Sequence, residues 1–331
     1  MSLNNLWRYD LITVADRIRS ELARGHRALT VKGQHPREER YVAEILVRLV
    51  RVVQRDLAPL FAGHGITIEG KGAFTHGKGG PMVASNAFPQ NKPQSVEIGD
   101  MMVVVNHVSA ASTTRHALLF QAKMYKGHLK PDNDNQLELY HSWPPFTYSG
   151  PGALTGQQRN VTAQFYDQAQ YLFIDGPLSD FTAEPDRPSL TPSCCLSWRL
   201  TQLLCHRAGR SFVQPPPANN SNWDRVVDDI LAEMQQHTSS WMKASNAGKP
   251  DRIVCFFAGG VPPAFRMTAN DEQVAASFTI PAVGRPHGND YEPPIELPNF
   301  DSDAQGGFGV LEITLRSEDE VRREDGESQP Q

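Results

Sequence analysis

Apolar residues recur at helical spacing along several stretches of the chain. Leu11, Val14, Ala15, Ile18 and Leu22 predict a first helix over 10–24, with Gly25 placed to stop it. Val42, Ile45, Leu46, Leu49, Val53 and Leu57 form the strongest stripe, and predict a long helix over 36–60. Pro36 suits its first turn, where Glu38 and Glu39 meet the positive end of the helix dipole. Further helices are expected over 135–143, stopped by Pro144–Pro145, over 195–207, and over 222–244.

A different period marks the strands. Short apolar or alternating runs at 66–69, 96–106, 116–125, 171–175, 253–257 and 309–315 read as strands, several of them buried on both faces. Residues 70–95 are rich in Gly, Pro, Asn and Lys and read as a long loop, 161–169 is ambiguous, and 258–306 carries few periodic signals. The sequence THGKGG at 75–80 is not a phosphate-binding loop, because Gly79 stands where the Walker pattern needs Ser or Thr. The charged tail from Arg316 onward has no periodicity and reads as disordered.

Composition narrows the class. A chain of 331 residues can bury a sizeable core, and the net charge of −5 argues against a broadly basic nucleic-acid coat but leaves room for a local basic groove. The four cysteines fit no zinc spacing and read as reduced thiols of a cytoplasmic protein. The N-terminal stretch carries charges throughout and does not read as a signal peptide, and no apolar run is long enough to span a membrane. His107, His116 and His128 flank the central strands without zinc-cage spacing, and Cys205-His206 reads as a chance pair. Trp143, Phe146 and Tyr148 read as packing. No nucleophile elbow for a serine hydrolase and no dinucleotide fingerprint is present.

The candidate chemistry lies in residues 96–140. Alternation puts Leu119, Gln121 and Lys123 on one face of a strand, with Leu118, Phe120, Ala122 and Met124 on the other. In the preceding strand Asp100 shares a face with Met102 and Val104, and a carboxylate there needs a partner or a metal. Hydrolysis of a phosphodiester uses a hard cation held by oxygens. Asp100 supplies charge, Gln121 an amide oxygen and Ala122 a backbone carbonyl, while Lys123 places a cation beside attacking water or phosphate. Glu97 has the opposite parity, but a bulge at Gly99 would bring it round as a second ligand. Gln136 and Tyr140, four residues apart, share a helix face.

The order acid, hydrophobic strand, Gln-x-Lys resembles the PD-(D/E)xK nuclease superfamily. Here it reads Ile98-Gly99-Asp100, 20 intervening residues, then Gln121-Ala122-Lys123, similar to the variant of some bacterial restriction and anti-phage effector endonucleases. In that superfamily a helix before the sheet often donates a Glu to the metal, which implies Glu38 or Glu39, with Glu38 preferred by helical phase. Gln136 and Tyr140 are similar to the Gln-x-x-x-Tyr element of RecB-like members. The resemblance implies an α/β protein with a restriction-endonuclease-like core, a central mixed sheet flanked by helices, and a C-terminal α/β extension. The expected divisions are an N-terminal helix (1–30), a nuclease core (31–185), an extension or small second domain (186–316) and a tail (317–331). It implies an Mg²⁺- or Mn²⁺-dependent endonuclease acting on nucleic acid, DNA first, in defence or repair. Nucleic-acid contacts are expected through the local cations Lys71, Lys78, Lys123 and Lys126, and the negative net charge points to a homo-oligomer or partner subunit that completes the groove. The alternative is a catalytically inactive nuclease-fold subunit serving binding or assembly.

Overall fold

The computed structural model describes residues 8–30, 37–76, 81–89, 95–129, 133–150, 152–163, 167–174, 180–186, 189–218, 222–244, 253–258 and 307–317. In chain order the elements are α1 (Arg8–Thr30), α2 (Glu38–Val52), a π-helical turn (Val53–Leu57), α3 (Ala58–Ala62), β1 (Ile66–His76), β2 (Met82–Ala84), β3 (Val96–Glu97), β4 (Met101–Val108) and β5 (Thr113–Met124). There follow α4 (Asp134–Ser142), β6 (Phe146–Tyr148), β7 (Gln158–Arg159), β8 (Ala169–Ile174), β9 (Phe181–Glu184) and β10 (Thr191–Cys195). The last are α5 (Leu196–Leu204), β11 (Arg210–Ser211), α6 (Trp223–Ala244), β12 (Ile253–Ala258) and β13 (Gly307–Ser317).

The fold is α/β, with a mixed central sheet flanked by helices. Its strands run in the order β10-β9-β8-β5-β4-β13-β1-β12, and β11 pairs with the start of β5. Pairing is antiparallel except between β13 and β4 and between β5 and β8. Strand alternation gives the sheet two apolar faces. Met101, Val103, Val105, Leu118, Phe120, Leu311 and Ile313 face α1, α2 and α5. Met102, Val104, Leu119, Tyr171, Phe173 and Val310 face α4, α6 and a second sheet of order β3-β2-β6-β7. Trp143, Phe146 and Tyr148 are buried in this second layer, in the packing role expected of them. Trp143 ends α4 in the left-handed region (φ 46°) and its N–H donates to Leu139 O at 2.9 Å.

β13 was unexpected in its place. It lies between β1 and β4, with Gly309 opposite Met101 and Glu312 opposite Lys71. The segment that the sequence assigns to the C-terminal extension therefore fills the middle of the main sheet. The stretches 259–306 and 318–331 lie outside the described residues.

Close approaches explain where the apolar pattern misplaces element ends. Gly25 does not stop α1, which runs on to Thr30. A Cβ on Gly25 would sit 3.0 Å from Arg48 Cγ and from Glu44 Cγ, so this glycine lets α1 approach α2. The helix expected over 36–60 is interrupted by the π-helical turn at Val53–Leu57. That turn places Arg55 on Glu21, whose carboxylate accepts from Arg55 at 2.7 Å and from Arg48 at 2.9 Å, while Arg48 also donates to Glu44 at 2.6 Å. Glu21, Glu44 and Arg48 are all buried, so each charge depends on its partners. β1 extends far past the expected 66–69, because Gly70 and Gly72 carry the strand beneath Val53 and Val50, where side chains would crowd the helix.

Candidate active site

The strand expected over 96–106 is two strands. Gly99 breaks it: β3 pairs with β2 in the small sheet, and β4 begins at Met101 in the main sheet. A Cβ on Gly99 would lie 2.9 Å from Leu119 Cγ and 2.9 Å from Tyr140 Oη, so the chain can turn there only without a side chain. The turn carries Glu97 to the carboxylate of Asp100, and the two side chains hydrogen-bond.

Asp100 is held by both neighbours of its strand. Its N–H donates to Phe120 O at 2.8 Å and its carbonyl accepts from Gly309 N at 2.9 Å. The register Met101–Phe120 sets Asp100 opposite Gln121 on β5, on the same face. Asp100 Oδ2 accepts from the Gln121 side-chain amide and from Ala122 N, the latter at 2.7 Å. The N–H and C=O of one strand residue point the same way, so the Ala122 carbonyl is also directed toward Asp100.

Three further side chains, from two helices, close on this point. Gln136, in α4, donates to Gln121 Oε1 and to Glu97 O, the latter at 2.9 Å. Tyr140, one turn on, donates to Ile98 O at 2.9 Å. The shared face of these two residues thus clamps the Glu97–Asp100 turn from above. From the other side of the sheet, Glu38 in the first turn of α2 has Oε2 3.5 Å from Lys123 Nζ, and its Oε1 accepts from Met124 N at 2.9 Å. Glu38, the preferred of the two candidate glutamates, thus touches β5. Glu39 is near enough to raise the pKa of Glu97.

The electrostatics follow from these placements. Burial, and then the neighbouring Glu97, push the Asp100 carboxyl well above its usual range; Lys123 and the Ala122 N–H pull it back. Burial also raises Glu97, opposed by its hydrogen bond to Asp100 and by Lys123. Carboxyls gathered against their own repulsion, with one ammonium beside them, are a donor set that a divalent cation suits. Among the described residues, no three His, Cys, Asp or Glu side chains already stand in metal-ligating array. Asp100, Glu97, Glu38 and the Ala122 carbonyl provide oxygens. Gln121 turns its NH₂ toward Asp100 and its oxygen toward Gln136, so its oxygen would serve a metal only with the amide turned over, together with that of Gln136.

Of the expected lysines, Lys123 is at the site and Lys126 is exposed just beyond it. Lys71 is not part of the site: it pairs with Glu312 at 2.6 Å, level with Val104 in the middle of the sheet. Lys78 lies outside the described residues.

A second cluster was not foreseen. The rings of His107, His206 and His116 stack in that order, with centroids 3.5 and 4.1 Å apart. His107 meets Leu204 O at 2.7 Å, His116 meets Gly209 O at 3.1 Å, and His206 meets Thr114 Oγ1 at 3.3 Å. Their nitrogens point to different partners rather than to one centre, so the stack is not a metal cage. A signal was present in the sequence: His107 and His116 fall on one face of adjacent strands.

Comparison with protein-family models, with curated proteins and with solved structures finds no match to this chain. No helix among the described residues is long and apolar enough to cross a membrane.

Proposed function

We propose that the chain is a metal-dependent phosphodiester hydrolase built on a restriction-endonuclease-like core. Within that class we read it as an endonuclease acting on DNA, dependent on Mg²⁺ or Mn²⁺, in a defence or repair setting.

The observation that carries the reading is the meeting of Asp100, just before β4, with Gln121 and Lys123 of β5 and Glu38 of α2, at one end of the sheet. Asp100 and the Ala122 carbonyl would hold the cation, with Glu97 and Glu38 as further oxygen donors. A bound cation supplies charge for the phosphate oxygens and an acidified water. Lys123 sets its ammonium where phosphate charge grows, steadied by Glu38. Gln136 and Tyr140 fix the turn that presents the acids.

Purified protein incubated with plasmid DNA and with single-stranded DNA, in Mg²⁺ or Mn²⁺, beside Asp100→Ala and Lys123→Ala, tests this. Cleavage by the natural protein alone is expected; equal cleavage by all three would refute the site. One observation favours the second reading, an inactive nuclease-fold subunit: the Gln121 amide offers Asp100 a hydrogen-bond donor where a ligating oxygen is wanted. Absence of metal-induced stabilisation in the natural protein would decide for it.

A further inference from the structure

β5 continues past the site into an aromatic ring that the hydrolytic chemistry does not use. Tyr125 N donates to Ile174 O at 2.9 Å, so the ladder with β8 extends one residue beyond Met124. Alternation places Tyr125 on the face of Gln121 and Lys123. The residue is 36% exposed, and it is the one aromatic among the large exposed apolar residues of the described chain. The ring is nonetheless braced. It stands at 86° to Phe173 (centroids 6.2 Å) and at 79° to Phe181 (5.3 Å), and those two rings stack on each other at 5.4 Å. Lys126 and His128 follow, both exposed.

A rigid, solvent-facing ring next to a phosphate-binding cation has the parts of a base-stacking platform. We propose that Tyr125 seats a nucleobase and that the site accordingly takes an unpaired nucleic-acid strand, with Lys123 at the phosphate beside that base and Lys126 along the backbone. The reason for an unpaired strand is access. Inside a duplex both faces of a base are covered by its stacked neighbours, so a protein ring can stack only on a base that has left the duplex stack. The phosphate's role at Lys123 rests on the hydrolase reading; the stacking of a base on Tyr125 does not.

The test is fluorescence anisotropy with the full chain and Ca²⁺ in place of Mg²⁺. The probes are a labelled oligo-dT, the same strand paired with oligo-dA, and an oligo-rU of equal length. The expected result is tighter binding of the single strands than of the duplex. Tyr125→Phe should retain that binding, and Tyr125→Ala should weaken it about 5- to 150-fold, the worth of one stacked base. Tyr125→Leu keeps apolar cover over Phe173 and Phe181 but has no π face, and should behave like the alanine variant, which separates stacking from a packing defect. The two single strands distinguish DNA from RNA. Unchanged binding by Tyr125→Ala, preference for the duplex, or no binding of any probe by the natural protein overturns the proposal. Metal-dependent cleavage read separately keeps the outcomes distinct. Cleavage that needs Lys123 but ignores Tyr125 fails the platform alone; Tyr125-dependent binding with no cleavage fails the hydrolase reading alone.

Discussion

Glu38 and Lys123 meet across the seam between helix and sheet, with Oε2 and Nζ 3.5 Å apart. Their side chains are 33% and 18% exposed, so the pair adds no more than about 1 kcal/mol to stability. Lys123→Ala removes that pair and the ammonium that offsets Asp100 and Glu97, so it should lower the urea midpoint only modestly while lowering cleavage by about 100-fold or more, the scale of losing a group that stabilises transition-state charge. Glu38→Gln keeps an acceptor for Met124 N–H and should reduce cleavage with little change in stability. A loss of stability that parallels the loss of activity would mark the pair as scaffold.

Asp100→Asn should separate metal binding from folding. The amide can keep an acceptor toward Ala122 N and offer a donor to Glu97, while the repulsion between two acids is removed. Because folding raises the pKa of both Asp100 and Glu97, the folded chain holds protons that the unfolded chain releases, and stability falls as pH rises above the ordinary carboxylate range. At pH 8 without divalent ions, Asp100→Asn should melt above the natural protein. Adding Mg²⁺ or Mn²⁺ should raise the melting temperature of the natural protein and leave that of the variant unmoved. Differential scanning fluorimetry reads both effects.

Gly99→Ala should be costly for so small a change. The added methyl would meet Leu119 and the Tyr140 hydroxyl at 2.9 Å, which forces the turn or α4 to shift, at about 1–3 kcal/mol. Cleavage should fall further than stability, since the same turn sets Glu97 against Asp100. Urea denaturation followed by circular dichroism, beside plasmid cleavage, checks it.

The histidine stack should make the protein sensitive to acid. Burial first, and neighbouring histidines with it, lower His107 to about 4 and His206 to about 3. The unfolded chain takes up protons near pH 6.5 while His107 and His206 of the folded chain stay neutral, so the contribution of these two is intact above that pH and is lost as pH falls toward about 4. This runs opposite to the effect of Asp100 and Glu97, so a variant is needed to isolate it. His206→Asn suits the position, because Asn tolerates the left-handed backbone found there (φ 54°). Between pH 7.5 and 5, its urea midpoint should fall less than that of the natural protein.

The residues of the candidate site were legible where period alone decides. Alternation placed Gln121 and Lys123 together, helical spacing placed Gln136 with Tyr140, and phase favoured Glu38, which meets β5. The break at Gly99 was half legible: a bulge at that glycine could be foreseen, but not that it moves Val96 and Glu97 into another sheet. The π-helical turn was hidden because Val53 and Leu57 satisfy the α-helical stripe equally well. The Glu21–Arg48–Glu44–Arg55 network was hidden for another reason, since charges on amphipathic helices ordinarily face water. The place of β13 could not be read at all, because register between strands two hundred residues apart leaves no local pattern.

That last strand also sets an order in time. A ribosome delivers β4, β5 and the site residues long before Gly307–Ser317, yet Asp100 O has its partner in Gly309 and β4 gains its second neighbour only from β13. Until then β1 and β4 each present an open edge, and pairing across so long a separation is slow. The nascent chain thus holds every acid and lysine of its site while the wall behind them is still missing. A chain assembled in this order brings Asp100 into its full register only as β13 arrives, which keeps the candidate site open on that side until then.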